Sequence, residues 1–107
     1  ALYTTSDTDG YLIITDQVSN GSLFHIYERQ GENDHVKTIR TRADKTDGID
    51  ATSHNLNERF PRGFLIVMNE GPKNFLLYDW RQIEREFDFI RNQASFKRTH
   101  WILVLLE

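Results

Sequence analysis

At 107 residues the chain is sized for one modest domain, and 38% hydrophobic with 27% charged residues is the balance of a folded protein, not a disordered one. A formal charge of −3 lacks the clustered basic excess of a nucleic-acid surface, and the absence of cysteine excludes disulfides, thiolate metal sites and cysteine nucleophiles. No charged-then-apolar leader is visible and no apolar run nears the ~20 residues of a membrane span, so neither nucleic acid nor membrane is an expected partner.

In chain order, strands are expected near Leu2–Thr5, Tyr11–Asp16, Leu23–Arg29 and Val36–Thr41, and again at Ile49–Thr52, Phe64–Asn69 and Asn74–Asp79. Each is rich in β-branched and aromatic residues and is bounded by turn chemistry such as Asp7-Thr8-Asp9-Gly10, Ser19-Asn20-Gly21 and Gly31-Glu32-Asn33-Asp34. After residue 79 the period changes. Trp80, Ile83, Phe87 and Ile90 fall at helical spacing with Arg81, Glu84, Arg85 and Glu86 between them, which predicts an amphipathic helix. The chain ends on Trp101–Leu106, an apolar run suited to a buried strand or a short helix. No Pro- or Gly-rich linker intervenes, so one structural piece is expected, divided at about 1–42, 43–80 and 81–107.

The first two of those parts are copies of one another. Gly10-Tyr11-Leu12-Ile13-Ile14-Thr15-Asp16-Gln17 matches Gly63-Phe64-Leu65-Ile66-Val67-Met68-Asn69-Glu70 position by position, and Phe24-His25-Ile26-Tyr27-Glu28 matches Phe75-Leu76-Leu77-Tyr78-Asp79. The second copy is two residues shorter between its blocks, where a hairpin loop tolerates a change of length. A β unit repeating at about 50 residues points to propeller blades. The expected fold is therefore all-β, about two antiparallel four-stranded β-propeller blades followed by the helix. Two blades leave two faces open, because a propeller escapes its edges only by closing. The expectation is a piece of a larger ring, or a helix and tail that cover what a neighbouring blade would cover.

The four histidines, His25, His35, His54 and His100, form no short-spaced metal pair, and no serine or histidine sits in a recognisable nucleophile setting. Asp7-Thr8-Asp9-Gly10 reads as a turn, since an EF-hand loop needs further oxygen ligands and a later glutamate. Asp44-Lys45-Thr46-Asp47-Gly48-Ile49-Asp50 is richer, with three carboxylates in one turn ahead of a strand. Such a turn suits a hard cation such as calcium, but these residues alone favour aspartates that form the turn and solvate a strand end.

Gly10-Tyr11-Leu12-Ile13, Gln17 and Ile26-Tyr27-Glu28-Arg29-Gln30-Gly31-Glu32-Asn33 resemble the penultimate blade of the calcium-dependent β-propeller phytases. Thr46-Asp47-Gly48-Ile49-Asp50 follows at a similar distance. Phe60-Pro61-Arg62-Gly63-Phe64-Leu65-Ile66-Val67 and Asn74-Phe75-Leu76-Leu77-Tyr78-Asp79-Trp80-Arg81-Gln82-Ile83 are similar to the last blade. The resemblance covers about Ala1 to Ile83 and implies a six-bladed propeller with a calcium-lined cleft. It also implies hydrolysis of phytate by calcium-activated water and a secreted or periplasmic location. Asp47 matches the family's active-site aspartate and Gln17 a calcium-binding glutamine, while Asn69 stands where the family usually has an aspartate and Glu70 is its neighbouring substitute.

The departures are specific. The acidic loop before Thr46-Asp47-Gly48 is short and keeps only Asp44, and the last blade's usual Gln-Asp-Gly-Glu-Asn run reads Met68-Asn69-Glu70-Gly71-Pro72. The family's phosphate-gripping Lys, Arg and Tyr belong to other blades. The resemblance thus implies a carboxy-terminal part of a phytase-like phosphomonoesterase, with Asp47 catalytic and Gln17, Asp44, Asp47, Asn69 and Glu70 as calcium ligands. Its partners would be phytate or another phosphate monoester and the remaining propeller blades, and the isolated chain would be inactive. The alternative is a non-enzymatic truncated propeller module that binds a partner through its open edges.

Overall fold

The structure, a computed structural model, describes residues 1–94 and 105–106, with side chains described as far as Phe87. Ile90's side chain and most of the Trp101–Leu106 segment lie outside the described residues.

Two sheets follow one another along the chain. The first runs β1 (Leu2–Thr4), β2 (Gly10–Val18), β3 (Gly21–Glu28) and β4 (His35–Thr41), all antiparallel in sequence order. The second is β5 (Ile49–Thr52), β6 (Phe64–Asn69) and β7 (Asn74–Asp79), also antiparallel. The helix α1 (Trp80–Ala94) leads directly out of β7, and β8 (Leu105–Leu106) adds to the first sheet parallel to β4. The chain is thus mostly β, and its two antiparallel sheets have the form of neighbouring propeller blades. No described helix is long and apolar enough to cross a membrane.

The repeat is a repeat of register. Tyr11 faces Glu28 as Phe64 faces Asp79, and Asp16 faces Leu23 as Asn69 faces Asn74. The first hairpin then runs on to Val18 opposite Gly21 and turns over Ser19-Asn20, with Asn20 in the left-handed region (φ 65°) that asparagine tolerates. The second closes at once, with the Lys73 N–H donating to the Glu70 carbonyl at 3.0 Å. The two missing residues are lost from that turn. The repeated glycine has a physical cause as well. A Cβ on Gly10 would lie 2.1 Å from the Tyr3 carbonyl oxygen, and one on Gly63 (φ 78°) 1.8 Å from that of Thr52. In each copy the backbone must pass against the preceding strand at this point.

Alternation along the strands sends one face of each sheet to a common core. Tyr3, Ile13, Phe24, Ile26 and Ile39 of the first sheet meet Leu65, Val67 and Tyr78 of the second, all buried. The seam is fastened from both ends of the first sheet. At one end Tyr3 stacks on Trp80 with ring centroids 3.7 Å apart and planes 11° from parallel, and its hydroxyl donates to the Arg62 carbonyl at 2.7 Å. Burial pushes the Tyr3 phenol up to about 12. From the opposite end of the first sheet the Thr41 hydroxyl is hydrogen-bonded to that of Tyr78, and Phe24 meets Tyr78 edge to face.

The helix begins where it does because Asp79 caps it. Its Oδ1 accepts the Arg81 N–H at 3.0 Å, satisfying a donor of the first turn. Trp80, Ile83 and Phe87 form the buried stripe, with Tyr11 against Trp80 and Phe87, while Arg81 and Arg85 face solvent. The helix closes one end of the seam and leaves the outward sheet faces uncovered. Ile14 is 53% exposed, Phe75 66% and Leu77 47%.

Two outcomes are expected in urea denaturation. Gly63→Ala should lose on the order of 1–3 kcal/mol or more, because strained φ and the clash with Thr52 coincide. Gly31→Ala should lose less, since Gly31 has a positive φ with nothing within 4 Å of an added Cβ. Asp79→Ala should cost about 1 kcal/mol through the lost cap. Hydrogen bonding to Arg81 holds the Asp79 carboxyl below its ordinary value. Its folded-state pKa therefore lies below the unfolded one, and its contribution is present above the unfolded value and lost as pH falls through the folded value. The stability difference between wild type and Asp79→Ala should shrink over that acid range.

Candidate functional site

The acidic turn lies between the sheets at the end of the seam away from the Tyr3–Trp80 stack. It leaves β4 at Thr41 and returns into β5 at Ile49. Its geometry is set by small hydroxyls that strand and turn patterns do not single out. The Ser22 hydroxyl donates to the Ala43 carbonyl at 2.8 Å, the Thr46 hydroxyl lies 3.4 Å from Ser22 Oγ, and the Ala43 N–H donates to Thr41 Oγ1 at 3.1 Å. Ser22, Thr41 and Thr46 are fully or almost fully buried. A signal for them exists in the run Ser22, Phe24, Ile26, where a serine shares the strand face of two core residues.

Held this way, the turn brings Asp47 against Gln17 of β2. The Gln17 amide donates to Asp47 Oδ1 at 2.5 Å across thirty residues of sequence. Both side chains belong to exposed residues, so the pair is open to solvent. Asp44 sits on the other side of the turn, against the second sheet. Its N–H donates to Asn69 Oδ1 at 2.9 Å, and its carbonyl accepts the Glu70 N–H at 2.9 Å. The Asp44 carboxylate lies along Gly71, where an added Cβ would come within 2.5 Å of Oδ2. Asn69 is buried and spends one amide-oxygen lone pair tying the turn to β6, and Glu70 engages the turn through its backbone. The five candidate residues therefore gather as two groups, Gln17 with Asp47, and Asp44 with Asn69 and Glu70.

The side-chain donors that face a cation in such a set are carboxylate and amide oxygens, the chemistry of a hard cation and not of zinc or copper. Among the described residues no group of three or more His, Cys, Asp or Glu side chains is placed to hold a metal ion. Calcium takes 6–8 oxygens, so these residues fit one corner of a shell and not its whole.

The other sequence candidates resolve differently. The turn at Asp7–Gly10 is closed by Ser6 Oγ, which accepts the Thr8 and Asp9 N–H groups at 3.2 and 2.9 Å, and by Arg29, which donates to the Ser6 and Asp9 carbonyls. Backbone and serine make that turn, and the Asp9 carboxylate takes no part. His25 lies in β3, with its ring nitrogens 2.9 Å from Thr38 Oγ1 and 3.1 Å from Asp16 Oδ2.

Two blade-like sheets with an oxygen-rich turn at one end of their seam define a propeller-type pair of blades. A family model described as Phytase matches residues 1–94, and the chain belongs to the phytase family. At family level this makes it a phosphatase-like hydrolase chain. No solved structure matches it.

Removing the Asn69 amide should free the Asp44 turn. Asn69→Ala is expected to lose about 1–3 kcal/mol in chemical denaturation by leaving the partly buried Asp44 N–H unpaired, while Asn69→Asp, which keeps an acceptor oxygen, should lose less.

Proposed function

We propose that this chain contributes the Gln17–Asp47 corner of the active site of a calcium-dependent phosphomonoesterase acting on phytate. The observation that carries the reading is the meeting of Gln17 and Asp47 at the seam of a phytase-family chain, side by side and open to solvent. Asp47 offers one carboxylate oxygen to Gln17, which fixes its orientation and leaves the other for the reacting centre. Asp44, aligned by Asn69 and Gly71, offers a second carboxylate across the turn. Calcium, when bound, would offset phosphate charge and acidify water there. The rest of its shell and the cationic grip on phosphate would come from the remaining propeller blades, and the exposed Phe75 suits the second sheet to packing against one of them. In a secreted or periplasmic enzyme such a site would meet calcium in the millimolar range of extracellular modules.

In a protein that includes the other blades, Asp47→Ala should reduce phosphate release from phytate more than Gln17→Leu, which is expected to cost roughly 10–100-fold by freeing the carboxylate it orients. Asp9→Ala should leave turnover near wild type. Equal losses at Asp9 and Asp47 would contradict the assignment. Millimolar calcium should raise the melting temperature of wild type by mass action and that of Asp47→Ala by less. A non-enzymatic module would show neither phosphate release nor the Asp47-dependent shift.

A further inference from the structure

A second recess lies at the other end of the second blade. Phe60 precedes β6 by four residues, and Phe64, at the start of β6, pairs with Asp79 at the end of β7. The acidic turn reaches β6 at its far end, where the Met68 N–H donates to the Gly48 carbonyl at 2.9 Å. At ~3.4 Å per residue, the six-residue strand sets these two places roughly 17 Å apart. The recess is about 590 Å³ and is lined by Arg59, Phe60, Leu77, Asp79, Gln82 and Arg85. That is within the roughly 300–1,000 Å³ of small-molecule pockets and ample for an organic ligand.

Its charge is unbalanced. The lining holds one carboxylate, Asp79, and Arg81 already grips it from the helix, with Nη2 at 2.6 Å and Nε at 3.1 Å from Oδ2. Arg59 and Arg85 have no carboxylate within salt-bridge distance among the described residues. The Arg81 guanidinium also donates to the Arg59 carbonyl at 3.2 Å, which pins the loop carrying Arg59 to the start of the helix. Arg59 lies over the Phe60 ring, 5.8 Å from its centroid, and Phe60 is set edge-on against Phe64. The recess therefore combines two guanidinium groups and the Gln82 amide with an apolar wall of Phe60 and Leu77.

From this we infer that the recess is a ligand site distinct from the Asp47 turn, taking a small organic anion in which a phosphate or carboxylate sits beside a carbon ring. Guanidinium groups bind either anion through paired N–H donors, and the apolar wall selects against a bare inorganic ion. No metal is needed, so binding persists in chelator.

The test is an amide-resolved NMR titration of the full 107-residue chain in excess EDTA with phenyl phosphate, benzoate and inorganic phosphate. Saturable shifts at Arg59, Phe60 and Leu77–Arg85 with phenyl phosphate or benzoate are expected, and the tighter of the two identifies the anion. Arg59→Gln and Arg85→Gln should each weaken binding at least fivefold, and Lys73→Gln, a charge change elsewhere, should not. The proposal is overturned if shifts do not saturate, if they centre on Gln17 and Asp47, if inorganic phosphate binds as tightly as phenyl phosphate, or if Lys73→Gln weakens binding as much as the arginine variants.

Discussion

The stack of Tyr3 on Trp80 is the contact on which the rest of the molecule depends. One ring comes from the first strand of the first sheet and the other from the first turn of the helix that follows the second sheet, so a single contact joins the two ends of residues 1–80. It buries a tryptophan whose indole N–H has no hydrogen-bond partner among the described residues, a cost that the dense aromatic packing of Tyr3, Tyr11 and Phe87 must offset. With this end fixed, the sheets lie face to face along a seam of alternating apolar residues. The polar fastenings from the opposite end of the first sheet, Thr41 with Tyr78 and Ser22 with the acidic turn, then fall into reach. The Gln17–Asp47 meeting is the last link of that chain. It joins a side chain of β2 to the turn that links the two sheets, and it depends on that turn being held in place.

Much of this was legible because the controlling patterns are local. The alternating blocks located seven strands, and the change to helical spacing located the start of α1, where Asp79 supplies the cap. Residue pattern alone ends the second strand at Asp16 and begins the third at Leu23, whereas the ladder continues to Val18 and Gly21. Polar Gln17 and Ser22 look like loop, but a two-residue turn lets the backbone pair to its end whatever the side chains. The pairing of the Leu105–Leu106 strand with β4 was not legible, since a short apolar run fits strand or helix equally and nothing in it names a parallel neighbour.

The site was legible to a different degree. Asp47 and Gln17 were singled out by resemblance to a family, since thirty residues separate them and no spacing rule connects a strand residue to a distant turn. Their proximity is a tertiary fact. The residues that support them, Ser22, Thr41 and Thr46, are hydroxyls at strand ends and in a turn; alternation puts Ser22 and Thr41 on core-facing strand faces, but no local pattern shows that the acidic turn folds onto them. Asn69 is marked by its position in the sequence, and in the fold its amide oxygen also orders the backbone of the turn that carries Asp44. An amide at this position thus orders the turn without adding charge to it.

Helix α1 leaves β7 at the point where the first sheet continues to a further strand. As a result β7 ends its sheet with one edge unpaired among the described residues, and it is also the strand that carries Phe75 and Leu77 outward. An open backbone ladder beside exposed aromatic and aliphatic side chains is a template for adding another strand, its own copy included. Handling of the molecule in solution will therefore be governed by concentration. Dilute chains can complete their own seam, and crowded ones will join edge to edge first, so that recovery from denaturant should depend on how much protein is present and not only on how stable each molecule is.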